Sequence, residues 1–531
     1  MKFFNVLLGL TFFFITVGNA YCQDDKREQY VQRTLSLRAA EDYVGAIAVL
    51  DSFLMDHPEE VSLLLLRGDL CLQGANFKEA VNTYSRLIPL EFEPITARIN
   101  LSYALFMNHK PKKALEMAKA AWEIDQNHKS ATVNYFNAML WNVQTKNAKE
   151  FLEANISKLT AADKLVLSAR LHTSSGDFKR GLGYYEELVN LEASKHYVKE
   201  YGDVLMAKSQ VKKSDDLYKA NTSILSESDM AAHHQKVKEL YKLRSGAQLS
   251  FFKDVGGNVR WDYALWSDIV KKSFLEGKVS TGKSVYTAFD ANKTTSAYIH
   301  LNLKERYSST LSGNTEVHLQ EIRPLEGDKF VGVTGSKMFI YQPNDRRMLG
   351  LGYTREILSF TASIINQNIR NNSLGYVTHI MLDGKTGLFS QGNMGKLTDS
   401  NEKFQFFGSF YHVFNAEPLI KTGINYSTLH FTNQEITEYF SPDKYKNLEL
   451  FADLNLKQLP IKHLQIAMQG AAGMQKIEDR KIEKALRFQT ELGYQVKDMT
   501  IGLKYQSSNV ASSTGVGYKF NWLTFNFTYK W

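Results

Sequence analysis

The feature that most restricts this chain is a two-residue alternation that fills its second half. Within 523–531, Leu523, Phe525, Phe527, Tyr529 and Trp531 alternate with Thr524, Asn526, Thr528 and Lys530. Within 448–457, Leu448, Leu450, Ala452, Leu454 and Leu456 alternate with Glu449, Phe451, Asp453, Asn455 and Lys457. The same pattern runs through 486–496, 499–506, 464–469 and 299–304. Successive side chains of a strand point to opposite faces, so each run has one apolar and one mostly polar face.

Repeated alternation over about ten residues per strand is the pattern of a transmembrane β-barrel. An open sheet edge in hydrocarbon leaves backbone groups unpaired, so such strands must close on themselves. Residues 246–531 are expected to form an antiparallel barrel of about 12–16 strands. The apolar face would meet lipid, and Glu449, Asp453, Arg487, Glu491 and Lys504 would line a wet interior. Expected loops are 324–328, 344–346, 371–373 and 397–403.

The first residues point the same way. Lys2 precedes an apolar run from Phe3 to Val17, and small residues at 18–22 precede Asp24-Asp25-Lys26-Arg27. This reads as a secretory signal peptide over 1–22, cleaved after Ala20 or Cys22, since the run is short for a spanning helix. Cys71 then has no cysteine partner, which excludes a disulfide framework. A net charge of +8 over 531 residues, without a basic block, gives no sign of nucleic-acid binding.

The region 23–225 repeats. Ala46, Ala80, Ala114 and Ala148 are spaced by 34 residues, and Gly181 and Ser214 follow at 33. This is the tetratricopeptide period, two antiparallel helices per unit. Asp42-Tyr43, Asn76-Phe77 and Asp177-Phe178 recur at the turn before the small residue. Unit four lacks this turn motif. Residues 226–245 are expected to be a capping helix and linker, starting at Ser226 with Asp229 in its first turn. The fold class is therefore multidomain α + β, an α-solenoid followed by a barrel. Stacked repeats offer a groove for an extended partner, expected here to be a periplasmic protein.

Two resemblances sharpen this. Tyr439-Phe440-Ser441-Pro442 with Tyr445 resembles a signature of the YaiO-type outer-membrane β-barrel family and of the barrel of the cellulose-secretion outer-membrane protein. Glu438 stands where that signature has glycine. Pro442 fixes φ and ends pairing, so the motif is expected at a strand entry or a re-entrant bend. The run containing Phe525, Phe527, Tyr529 and Trp531 resembles the C-terminal strand by which the barrel-assembly machinery recognises its substrates. Repeats ahead of such a barrel are similar to the exporters of bacterial exopolysaccharide. The resemblance implies an outer-membrane channel or scaffold for a cell-surface polymer, polysaccharide being the leading candidate. Two alternatives stay open: a closed barrel that only anchors the repeats, and a lipid-modifying enzyme.

No catalytic, metal or cofactor site is expected. Residues 277–284 match G-x-x-x-x-G-K-[ST], but a strand-like segment follows where a phosphate-binding loop needs a helix. His233 and His234 are adjacent on a helix and point about 100° apart. Ser409 and His412 lie on opposite faces of one strand.

Overall fold

The computed structural model describes residues 23–531 except 59, 289–292, 325–326, 360, 417, 437–438, 457–462 and 511–518. The expected signal peptide lies outside the described residues, as does Glu438. The described chain divides into two compact units, with the main break between Leu225 and Ser226.

The first unit is a helical solenoid of six pairs: α1 (Gln23–Ala39) with α2 (Tyr43–Asp56), α3 (Val61–Gln73) with α4 (Phe77–Leu87), and α5 (Pro94–Met107) with α6 (Pro111–Ile124). Then come α7 (Lys129–Trp141) with α8 (Thr145–Asn155), α9 (Ala161–Ser174) with α10 (Phe178–Leu191), and α11 (Lys195–Ala207) with α12 (Val211–Ala220). The six small residues fall one in each second helix. Ala46, Ala80, Ala114, Ala148 and Ser214 are fully or almost fully buried there, and Gly181 is buried too. Helix crossing leaves no room at the matching point of the first helix either. A Cβ on Gly68 would lie 2.7 Å from the Tyr84 ring, and one on Gly202 would lie 2.5 Å from that of Tyr218.

Each pair turns through one left-handed residue: Glu41, Ala75, His109, Val143, Gly176 and Ser209 all have positive φ. Asp42, Asn76 and Asp177 cap the helix that follows by accepting from the N–H three residues on. Gln144 makes no such cap, yet α7 and α8 still pair. Packing against neighbouring repeats outweighs one missing cap.

The second unit begins with α13 (Glu227–Tyr241), whose Ser226 and Asp229 form a reciprocal capping box. The strands are β1 (Arg244–Asp254), β2 (Val259–Lys271), β3 (Leu275–Thr287), β4 (Lys293–Arg306), β5 (Leu311–Arg323), β6 (Phe330–Asn344), β7 (Arg347–Ile357) and β8 (Arg370–Met381). They continue as β9 (Thr386–Leu397), β10 (Glu402–Ala416), β11 (Leu419–Phe431), β12 (Tyr445–Leu456), β13 (Leu464–Ile477), β14 (Glu483–Val496), β15 (Met499–Ser508) and β16 (Phe520–Lys530). Every strand pairs with its sequence neighbours, and β1 pairs with β16, closing a sixteen-strand barrel. An up-and-down meander closes antiparallel only with an even number of strands, and β1–β16 is antiparallel.

The two rims differ. One, the terminal rim, holds the start of β1, the end of β16 and short turns such as 345–346 and 497–498. The opposite, far rim carries the long connections 358–369 and 432–444; the first contains α14 (Ala362–Asn366). Two expected loops are corrected. Residues 371–373 lie inside β8, with Asn371 and Ser373 buried on its inward face, because their amides and hydroxyl suit the polar interior. The loop expected over 397–403 is only 398–401, since β9 and β10 reach further in from either side.

Candidate functional site

The outer wall of the barrel is apolar. Leu265, Leu374, Leu450, Leu351 and Leu486 are each more than half exposed. Residues at the alternate positions face inward and are polar or buried. A closed wall with an apolar outside and satisfied backbone is what hydrocarbon demands of a strand protein.

Each residue expected inside stands on the inward face. Glu449 and Arg487 form a two-point ion pair, with Nε to Oε1 at 3.0 Å, and Glu449 is 1% exposed. Glu491 meets Lys504 at 3.1 Å, and Asp453 meets Lys421 at 2.7 Å. The charges are thus neutralised between strands, Glu449 and Arg487 reaching each other across β13. Sequence reasoning did not single out Lys421, nor the inward pair Arg260–Asp262 at 2.9 Å within β2, nor Lys337–Glu305 at 2.9 Å, which lies on the outward face beside the exposed Phe339. A basic residue on an inward position opposite an acid would have found Lys421, but the pairing register was needed first.

The interior also carries flat aromatic rings. Trp266, Tyr298, Tyr411 and Phe451 stand directly across from Gly246, Gly282, Gly387 and Gly423. A Cβ at any of these four glycines would lie within 2.8 Å of the partner ring. The ring therefore lies on the bare backbone of its neighbour, along the wall rather than across the lumen. Lys421 sits 5.0 Å from the Tyr411 ring centroid and 5.6 Å from that of Phe451. Phe451 breaks the otherwise polar set of β12, which was the visible hint of these rings.

At the far rim the interior turns apolar to receive two loops. Leu397, Leu429, Phe431, Tyr445 and Ile477 from the wall pack with Leu358, Ile364, Ile369 and Tyr439 from the loops. A second cluster joins Tyr286, Ile322 and Ile357 to Ala362 and Ile365 of the short helix. Each Ile or Phe fully buried this way contributes about 1.5–3 kcal/mol over exposure. Thr294, itself fully buried, donates to Asn366 at 2.6 Å and ties α14 to β4.

The Tyr439–Tyr445 stretch is the inner edge of this rim. The Tyr439 hydroxyl donates to Asp399 at 2.8 Å and accepts from Asn401 at 3.0 Å. The Ser441 hydroxyl donates to the Ile436 carbonyl at 2.9 Å, closing a tight bend. The Pro442 carbonyl accepts from the Phe431 N–H at 2.8 Å. Phe440 stacks edge-on to Tyr445, 6.1 Å between centroids, and Tyr445 opens β12. The segment is both a re-entrant bend and a strand entry.

At the terminal rim, β16 is the closing strand. Leu249 pairs with Phe525, Ala247 with Phe527 and Ser245 with Tyr529. Phe525, Tyr529 and Trp531 are exposed outward, at 44%, 45% and 54%, as a girdle at a membrane interface requires. Phe527 shares their face. The Trp531 indole N–H donates to the Ser245 hydroxyl at 3.0 Å. Lys530, on the inward set of β16 with Thr524 and opposite Arg244, reaches Glu239 of α13 at 2.8 Å. Hydrogen bonds from Lys242 and Lys530 hold the Glu239 carboxyl down to about 2. Lys242 also reaches Asp498 at 3.2 Å, so α13 is clamped to this rim twice.

In the solenoid the polar groups are spent between neighbouring repeats. Asn100 donates to Asp69 at 3.1 Å, and Asn142 to the Pro111 carbonyl at 2.8 Å. Arg170 clamps Glu200 through Nε and Nη2, both at 2.7 Å, and the Tyr185 hydroxyl donates to the same carboxylate. Burial pushes the Glu200 pKa up, but the Arg170 charge and these bonds outweigh it and hold it below the usual range. Burial lowers His196.

Residues 277–284 lie within β3, where no helix terminus is present to cradle phosphate. Ser409 and His412 sit on opposite faces of β10. Among the described residues, no group of three His, Cys, Asp or Glu could hold a metal ion.

No family model and no curated protein matches this chain. Among solved structures it is similar to a bacterial polysaccharide outer membrane secretin, with 11% identity and TM-score 0.42 over 55% of this chain and 99% of that one. It is also similar to CdiB of Acinetobacter baumannii, with 10% identity and TM-score 0.34 over 58% and 69%. The repeats are similar to a tetratricopeptide-repeat protein of Thermus thermophilus, with 15% identity and TM-score 0.29 over 34% and 98%. These are likenesses of fold. The chain is a solenoid of helix pairs with the tetratricopeptide period followed by a closed sixteen-strand antiparallel barrel whose apolar outer wall suits hydrocarbon.

Proposed function

We propose that the protein is a non-enzymatic outer-membrane channel for a hydrated cell-surface polymer, polysaccharide being the class that fits best. The carrying observation is the interior itself. It combines closely spaced ion pairs with rings laid flat on glycines, a surface that offers hydrogen bonds and stacking to sugar rings without trapping them. Barrels of about this strand number enclose an aqueous lumen unless something fills it. The repeats would then stand in the periplasm, since outer-membrane barrels turn tightly on that side, and would bind a protein that hands over the polymer. Barrel-assembly machinery would insert it, with the 523–531 strand as the recognised element.

A second reading has its own support. The loops 358–369 and 432–444 fold into the far rim and bury an apolar cluster there, as a sealed anchor for the repeats would. Single-channel recording in planar bilayers separates the two. Current steps from the intact protein, enlarged when 358–369 is replaced by a short turn, support the channel. Silence in both proteins leaves the anchor.

A further inference from the structure

The terminal rim holds a cavity of about 330 Å³ between the inward faces of β1 to β4. Its charged lining is Arg244, Asp268, Lys271, Glu276, Lys278 and Lys304. Arg244 is already paired, its Nε 3.0 Å from the Asp268 carboxylate. That leaves three ammonium groups and one carboxylate, Glu276. Lys271 donates to the Lys242 carbonyl at 3.4 Å, which fixes its position without neutralising it. Lys278 lies 4.1 Å over the Trp266 ring, which steadies the cation and keeps it facing the cavity. Among the described residues no ion pair within 4.0 Å is formed by Lys271, Lys278 or Lys304. The contrast with the middle of the barrel is sharp, for there the charged residues pair across strands.

Like charges held together in a partly enclosed space repel, and the cost is offset when an anion enters. We propose that this cavity is a binding site for anionic oxygen groups, carboxylate or phosphate ester, carried by the polymer at the terminal mouth of the barrel. Lys278 and Lys304 are the residues that contact the anion, with Lys271 behind them. The cavity is large enough for a charged sugar residue rather than a lone ion. Trp266 beneath Lys278 supplies an apolar ring beside the charge, as a uronate or phosphorylated sugar requires. This rests on the export reading and deepens it by naming the charge of the cargo.

The Trp266 indole is a built-in reporter. Full-length refolded protein in detergent is titrated with hexagalacturonate, pyrophosphate and neutral cellohexaose, reading tryptophan fluorescence against W266F. The expected result is saturable quenching by an anion, absent in W266F, about tenfold weaker in K278Q/K304Q and about tenfold weaker when salt rises from about 0.05 to about 0.5 M. The tighter anion identifies carboxylate or phosphate as the group recognised. Equal binding of cellohexaose, or unchanged affinity in K278Q/K304Q with a heat-modifiable barrel, overturns the assignment. Bilayer current tells this failure from that of the channel reading. Current without block by any anion removes the site alone, and anion binding without current removes the channel alone.

Discussion

The solenoid and the barrel use the same amino acids turned inside out. In the solenoid Leu50, Leu70, Leu87 and Leu188 are fully buried, and the charged groups that go in are matched singly, as Arg170 is by Glu200. In the barrel Leu265, Leu374 and Leu450 are the exposed residues, and Glu449 and Asp268 are buried. The difference is the surroundings each surface suits: water for the outside of the first, hydrocarbon for the outer wall of the second. A leucine is stabilising in both, for opposite geometric reasons.

The comparison can be broken at its most costly point first. Arg170→Met strands the Glu200 carboxylate in the solenoid and is expected to cost about 3–5 kcal/mol, whereas R170M/E200L recovers most of it. Thermal loss of the far-ultraviolet helical signal measures this, and equal stability of the single and double variants would refute it. The pair also sets an acid limit. Glu200 is held below its ordinary 4.5, so its contribution is present above that value and is lost as pH falls through the lower folded value. His196, lowered by burial, loses in the same direction once it must protonate. The helical signal should therefore melt earlier as pH drops below about 6.5, where unfolding lets His196 protonate, and earlier still below about 4.5, where it lets Glu200 do so.

Next in size is Leu450→Arg on the lipid-facing wall, expected to cost about 2–4 kcal/mol of barrel stability in bilayers and nothing comparable in the solenoid. Urea titration of the heat-modifiable gel band reads the barrel separately from the helices. A smaller loss, about 1–3 kcal/mol, is expected for Gly68→Ala, because Tyr84 is held by its bond to Asp69 and cannot swing from the new methyl. Only the helical transition should move. The smallest effect is Tyr439→Phe, about 0.5–1.5 kcal/mol, from losing the bonds to Asp399 and Asn401. Proteolysis of the far-rim loops should quicken while the wall is unchanged.

Much of this molecule was legible in order. The 34-residue spacing from Ala46 to Ala148 located the helix pairs, since a close crossing tolerates only a small residue and recurs once per unit. The alternation of β12, β14, β15 and β16 located the wall and the face of Glu449, Arg487, Glu491 and Lys504. The ring of Phe451 was visible only as an exception. The tuck of 358–369 was not visible, because a short helix amid Ile364, Ile365 and Ile369 has no period of its own and takes its place from the rim that covers it. Asn371 and Ser373 were misjudged as loop for a related reason: polar residues are turn-formers at a surface and wall residues on the polar inward face of a barrel.

By itself, then, the sequence determined two periods, 34 residues and two, and through them a helical solenoid and a membrane-facing strand set. Periodicity is a local property of a chain and survives without knowledge of contacts. The strand count of sixteen, the pairing of Asp453 with Lys421, the inward loops and the lysines gathered in the terminal-rim cavity were decided only by the tertiary structure. Each of these depends on register between segments far apart in sequence, and register is fixed when the barrel closes.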